Sequence, residues 1–187
     1  MIDLVLYGPS GPQPLGRPAA VRVELRNTGD HDLWIAGVLD GSENGLRFPH
    51  YRPTVTRAGD GEGDAEGEGR VACPAEYGTV VASPAPAEDP LVGPLRPSDL
   101  RKLSPGQSWD PSSGPGCLPL MTFAHFTPRR PGRYLYTLTL DTDAARPEDW
   151  LGGFGVPVGT AREDLLALVA RVPRTRVAAD PVEVDFR

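Results

Sequence analysis

Acidic side chains recur at every second position in AGDGEGDAEGEGR, residues 58–70, with little but glycine between them. Asp60, Glu62, Asp64, Glu66 and Glu68 supply the kind of oxygen donors that calcium takes from alternate positions of a loop. Counting along the loop decides against that reading. With Asp60 as the first ligand, the sixth position is Ala65, where an EF-hand turn needs glycine. The twelfth is Val71, where the loop needs a bidentate glutamate. Five like charges among glycines would also lose much entropy on ordering. The stretch therefore reads as a flexible acidic loop. DGSENG, residues 40–45, offers Asp40, Glu43 and Asn44 and reads as a plain turn.

Softer ligands and nucleophiles are few. His31, His50 and His125 could share a zinc or copper ion with Cys73, Cys117 or Met121. No two histidines stand at the H-x-H or H-x-x-x-H spacing that would bring them together locally. No G-x-S-x-G or cysteine–histidine signature is present, and Ser108-Trp-Asp110 has no nearby base. Gly152-Gly-Phe-Gly155 runs into Val-Pro rather than a helix, so it is no phosphate loop. The carboxylates lack the apolar settings that would tune one as acid and another as base. No catalytic residue, metal ligand or cofactor is expected. What remains is EDWLGGFGVPVG, residues 148–159. Trp150, Leu151 and Phe154 among its glycines form a candidate interaction surface. The competing reading packs Trp150 and Phe154 beneath a neighbouring helix.

The elements that would position these residues are mostly strands. Residues 2–7 read as a first strand. In AVRVELRN, Val21, Val23 and Leu25 alternate with Arg22, Glu24 and Arg26, the mark of a half-buried strand. Asn27-Thr-Gly-Asp30 turns the chain into a more deeply buried strand, 32–37, around Trp34. This pair is expected as a hairpin or as a crossing between two sheets. Pro49 and Pro53 demote 46–57 to an edge strand or two short pieces. Residues 70–83 return as its partner, and 83–97 break regular structure. Residues 98–103 suit one helical or 3₁₀ turn capped by Ser98, 107–109 a short strand, and 118–126 a further strand. GRYLYTLTLDT, residues 132–142, alternates strongly, with Tyr134, Tyr136, Leu138 and Leu140 on one face. One helix is expected after Thr160, which opens a T-x-x-E capping box with Glu163. Leu165, Leu168, Val169 and Val172 would be its apolar stripe. PVEVDF, 181–186, is the last strand.

At 187 residues the chain is long enough for one domain. Its 22 prolines and 22 glycines punctuate short apolar runs, as in an all-β fold. The net charge of −6 and the lack of any long basic run argue against nucleic-acid binding. No apolar run is long enough for a membrane span. MIDLVLYGPSG lacks the features of a signal peptide, which points to the cytoplasm unless a leader has been removed. Cys73 and Cys117 are then expected as reduced thiols.

Three segments give the chain a resemblance to bacterial immunoglobulin-like domains. AVRVELRNTGDHDLWI is similar to paired strands B and C, with Trp34 at the position of a buried strand-C tryptophan. LSPGQSWDP resembles the approach to strand E, and PGRYLYTLTLDT the start of strand F. The resemblance implies a tyrosine corner at Tyr134, its hydroxyl bonded to backbone upstream, and PVEVDF as strand G. It implies an antiparallel immunoglobulin-like β-sandwich spanning 1–187. Long loops and a helical insertion, 143–180, between the last two strands depart from the pattern, and no inter-sheet disulfide is expected. Such sandwiches host many unrelated functions; the long inserts and the lack of a catalytic set favour a non-enzymatic binding or interaction module, acting on a protein partner or by self-association. A sandwich that binds a small ligand or metal, and a proteinase-inhibitor-like domain, are the alternatives.

Overall fold

The computed structural model describes residues 1–58, 92–153 and 155–187. The acidic positions 60–68, Cys73, the strand expected at 70–83 and Phe154 lie outside them. The fold is all-β, built on antiparallel sheets with few helical residues.

Strands β1 (Ile2–Tyr7), β2 (Arg22–Asn27), β3 (Leu33–Ala36) and β4 (His50–Arg57) come first. They are followed by β5 (Leu100–Leu103) and β6 (Ser108–Trp109), then helix α1 (Met121–His125) and β7 (Gly132–Asp141). Helix α2 (Thr160–Val169), β8 (Arg176–Ala178) and β9 (Val182–Phe186) complete the order. One sheet runs β1-β2-β6, and β3 pairs with β5. In the other large sheet β7 is central. It carries β4 on one edge, and β9 then β8 along the other.

Alternation sets the inner faces. Ile2, Leu4 and Leu6 of β1 and Val23 and Leu25 of β2 are buried. So are Tyr51 and Val55 of β4, Tyr134, Tyr136, Leu138 and Leu140 of β7, and Val184 and Phe186 of β9. All belong to one hydrophobic cluster. The outer faces are polar. On the first sheet, Arg22 lies over the Tyr7 ring, 4.4 Å from its centre. On the second, the Thr54 and Thr137 hydroxyls meet at 2.6 Å.

Pro53 is tolerated for a visible reason. Tyr51, two residues earlier, donates its N–H to Ser42 O, away from β7. The missing donor of Pro53 falls on that same side, so the ladder to β7 loses nothing. Opposite, three residues (179–181) between β8 and β9 face two (137–138) of β7. This bulge makes β8 and β9 one bent strand along β7. β8 is not expected from the sequence, because its three residues have no alternation to read.

Several expectations need correction. Residues 118–126 do not form a strand; Met121–His125 is a helical turn. The Glu43 carboxylate accepts the Met121 and Thr122 N–H groups and the Thr122 hydroxyl. Phe123 and Phe126, three apart, then point together at Tyr136 and Tyr134. The described residues thus hold two α-helices where one is expected. The 3₁₀ turn expected near Ser98 forms at Pro97–Asp99, but Arg96 rather than Ser98 stands at its cap, with the Asp99 carboxylate on the Arg96 N–H, and 100–103 is strand β5. Thr160 is the first residue of α2 rather than its cap, which is Gly159. Trp34 is only half-buried, beneath the Arg171 guanidinium. Its strand crosses away from β2 and pairs with β5, so the strand beside β7 is β4, not the one bearing Trp34.

Tyr136 carries a hydroxyl with no hydrogen-bond partner among the described residues, on a fully buried side chain. Burial pushes its phenol far above the usual range. Tyr136→Phe should therefore raise stability, by about 1 kcal/mol, because it removes an unsatisfied polar group and little shape. Urea unfolding of both proteins checks the sign; a loss would mean that the hydroxyl holds a contact.

Candidate functional site

Trp150 and Leu151, the candidate interaction surface, are 2% and 4% exposed, so for Trp150 the competing reading, packed beneath the inserted helix, agrees with the structure. Both belong to the core that α2 covers with Leu165 and Val169. The Trp150 ring also faces Phe48 at 6.1 Å. Phe154, the third residue of that surface, is outside the described residues. The base of the insertion is closed by Thr142. Its hydroxyl donates to Pro173 O and lies 3.0 Å from Thr175 O, while the two backbones pair through Thr142 N–H and Thr175 O. Between Trp150, Val169, Val172 and Arg174 lies a cleft of about 70 Å³. That is far below the roughly 300 Å³ at which ligand pockets begin.

The three histidines are placed apart. His31 is exposed in the turn after β2, His50 begins β4, and His125 is exposed at the end of α1. Among the described residues no three His, Cys, Asp or Glu side chains could hold a metal together. Glu43 is committed to α1, and Asn44 caps the Leu46 N–H. Asp110 accepts the N–H and hydroxyl of Ser112, as a turn cap does. Cys117 is a free thiol, half-buried against Gly37. Burial and then Asp99 raise its pKa, which keeps it protonated and a poor nucleophile. The Tyr51 phenol, fully buried and donating to Ala36 O at 2.8 Å, is pushed well up by burial.

His50 does have an altered balance. Its ring stacks on Phe48 at 3.9 Å, and Arg52 lies 3.5 Å from Nδ1. Desolvation first, and Arg52 second, lower its pKa, against Asp141 across the ladder. The folded protein therefore binds this proton less readily than the unfolded chain. The His50 contribution is complete above the unfolded value of about 6.5 and is lost as pH falls through the lower folded value. Thermal unfolding from pH 7 to 5 should show a steeper fall for the wild type than for His50→Gln. Equal slopes would exclude it.

A group of residues that the sequence does not bring together lies at the end of the second sheet. There β4 finishes, β7 begins and β9 finishes. Gly16 donates to Pro128 O at 3.0 Å, Leu15 to Arg187 O, and Ala58 to Arg133 O. Arg57 Nη2 reaches Pro131 O at 3.0 Å, and Tyr134 donates its hydroxyl to Arg130 O at 3.0 Å. Arg17, Arg57, Arg129, Arg130, Arg133 and Arg187 thus come from four segments to one end. Their positions are scattered along the chain, so no basic run announces them.

No helix of the described residues is long and apolar enough to cross a membrane. Searches of protein-family models, curated proteins and solved structures return no match for this chain.

Proposed function

We propose that this chain is an immunoglobulin-like β-sandwich that works as a non-catalytic interaction module. Three features support the fold. The β1-β2-β6 sheet corresponds to strands A, B and E, and β4-β7-β9 to C, F and G. Gln13 forms a parallel bridge to Phe186, tying the N-terminal segment to the second sheet as well. The bond from the Tyr134 hydroxyl to Arg130 O has the form of a tyrosine corner.

The observation that carries the functional reading is the filled interior. Leu25, Tyr51, Tyr136, Leu138, Leu140 and Phe186 are 0% exposed. Phe123, Phe126, Tyr134, Tyr136 and Phe186 interlock with ring centres 5.2–6.1 Å apart. Side chains occupy the space between the sheets, so recognition falls to the surface and the loops. The partner is a protein, either another chain or a second copy.

Native mass spectrometry with elemental analysis, on protein purified from its own cells, tests this. A stoichiometric polypeptide partner or a defined oligomer is the expected result. A tightly held metal or small molecule in a bare monomer would instead select the ligand-binding alternative.

A further inference from the structure

We infer that the arginine end of the second sheet is a docking surface for an acidic, extended peptide segment of a protein partner. This rests on the reading of the chain as an interaction module and names the surface and the chemistry it fits.

The chain as a whole carries −6. The segments that meet at this end, 13–18, 55–58, 126–133 and 186–187, contain six arginines and no aspartate or glutamate. Among the described residues, Arg133 meets Glu183 at 3.2 Å and Arg187 meets Asp185 at 2.8 Å. Arg57 is turned onto a backbone carbonyl, and Arg130 is held in the loop whose carbonyl takes the Tyr134 hydroxyl. Arg17 and Arg129 are exposed, one residue beyond each side of the Gly16–Pro128 hydrogen bond. That bond brings their backbones together, and together they form the positive centre of the patch.

The framework is rigid. Pro14, Pro18, Pro128 and Pro131 fix φ in the loops, and the backbone bonds to β7 and β9 fix their ends. Less freedom is then lost on binding. Guanidinium groups match carboxylates through paired N–H donors. The patch spans three strands, each about 4.8 Å from the next. A single phosphate would cover only part of it. An extended peptide presents side chains on one side roughly every 6.7 Å, so two or three carboxylates reach across.

The test is fluorescence anisotropy with a labelled ten-residue peptide of alternating Glu and Gly, at low salt. The full chain is compared with Arg17→Glu/Arg129→Glu and with a control of equal charge, Arg26→Glu/Arg176→Glu. All four side chains are exposed, so folding should survive, and circular dichroism verifies it. The expected result is saturable binding that falls about tenfold or more in the first variant and about twofold in the control. The sequence also holds five carboxylates at positions 60–68, which could compete with the peptide. The same titration is therefore run with those five changed to Asn and Gln. Absence of binding in both backgrounds, or equal weakening by the two charge variants, overturns the inference. Stronger binding of a dT10 oligonucleotide or of inorganic phosphate also overturns it. A polypeptide partner found by native mass spectrometry alongside any of these failures leaves the interaction-module reading standing and moves its surface elsewhere.

Discussion

Asn27→Ala should cost the protein roughly 3 kcal/mol, a large share of a typical domain's stability. Asn27 ends β2 and is 0% exposed. Its Nδ2 donates to His31 O at 2.8 Å and to Leu103 O at 2.9 Å, and its Oδ1 accepts the Gly29 N–H at 3.0 Å. Its own backbone bonds Gln107 O and the Gly106 N–H. One side chain thus joins the end of β2, the turn that follows and the end of β5, 76 residues away in sequence. Alanine leaves the Leu103 carbonyl buried without this donor, at about 1–3 kcal/mol per unsatisfied group. The sharper test is Asn27→Asp. At neutral pH the new carboxylate would face two carbonyl oxygens and should destabilise at least as much as alanine. Its folded-state pKa would be raised, so the deficit should shrink as pH falls and the group takes up a proton. Urea unfolding at pH 7 and pH 5 reads both effects. A loss under about 0.5 kcal/mol for alanine would mean that the junction holds without these bonds.

Asn27 also shows where sequence reading stops. The stretch Asn27-Thr-Gly-Asp30 is legible as a turn, because those residue types favour one. That the asparagine is buried, and that it reaches β5, depends on contacts far apart in sequence. The same divide runs through the fold. β2 and β7 are legible because each buries one face and wets the other, so alternation survives in the sequence. Helix α1 is not, because the carboxylate that caps it belongs to Glu43 in another turn. Within 118–126, period two and a three-residue spacing both bring apolar groups together; the remote cap selects the second. Trp150 can be read as a surface anchor or as packed beneath the helix that follows it; its burial under α2 agrees with the second, while the contact with Phe48, from a distant segment, is not legible. The arginine end is the extreme case. Its members lie at positions 17, 57, 129, 130, 133 and 187, and only the pairing of β4, β7 and β9, with the Gly16–Pro128 and Leu15–Arg187 backbone bonds, gathers them.

The junction beneath the insertion should be equally sensitive, and two glycines separate its causes. Gly152 has φ +84°, and Gly106 has a similar φ of +77°. A Cβ on either would suffer the left-handed backbone, at about 1–2 kcal/mol. At Gly106 it would meet nothing within 4 Å. At Gly152 it would lie 3.1 Å from Arg47 Nη1 and closer still to the carbonyl oxygen of Gly93. A backbone carbonyl cannot rotate aside, so the two segments must part. Their separation strains the bonds from Leu95 N–H to Leu151 O, 2.9 Å, and from Gly153 N–H to Val92 O, 3.2 Å. It also disturbs Arg47, 4% exposed, whose Nη1 donates to that same Gly93 O at 2.6 Å. Desolvation already lowers the Arg47 pKa, against the opposing pull of Asp99 and Asp40, and its Nε has no partner among the described residues. A buried guanidinium that loses its carbonyl is costly, because little else compensates the desolvated charge. Gly106→Ala should therefore lose about 1 kcal/mol, and Gly152→Ala about 4 kcal/mol, by the same unfolding measurement. If the two losses are equal, backbone conformation alone sets the cost and the contact between 92–95 and 151–153 yields freely. If they differ as expected, that contact and the buried arginine hold the insertion onto the sheets.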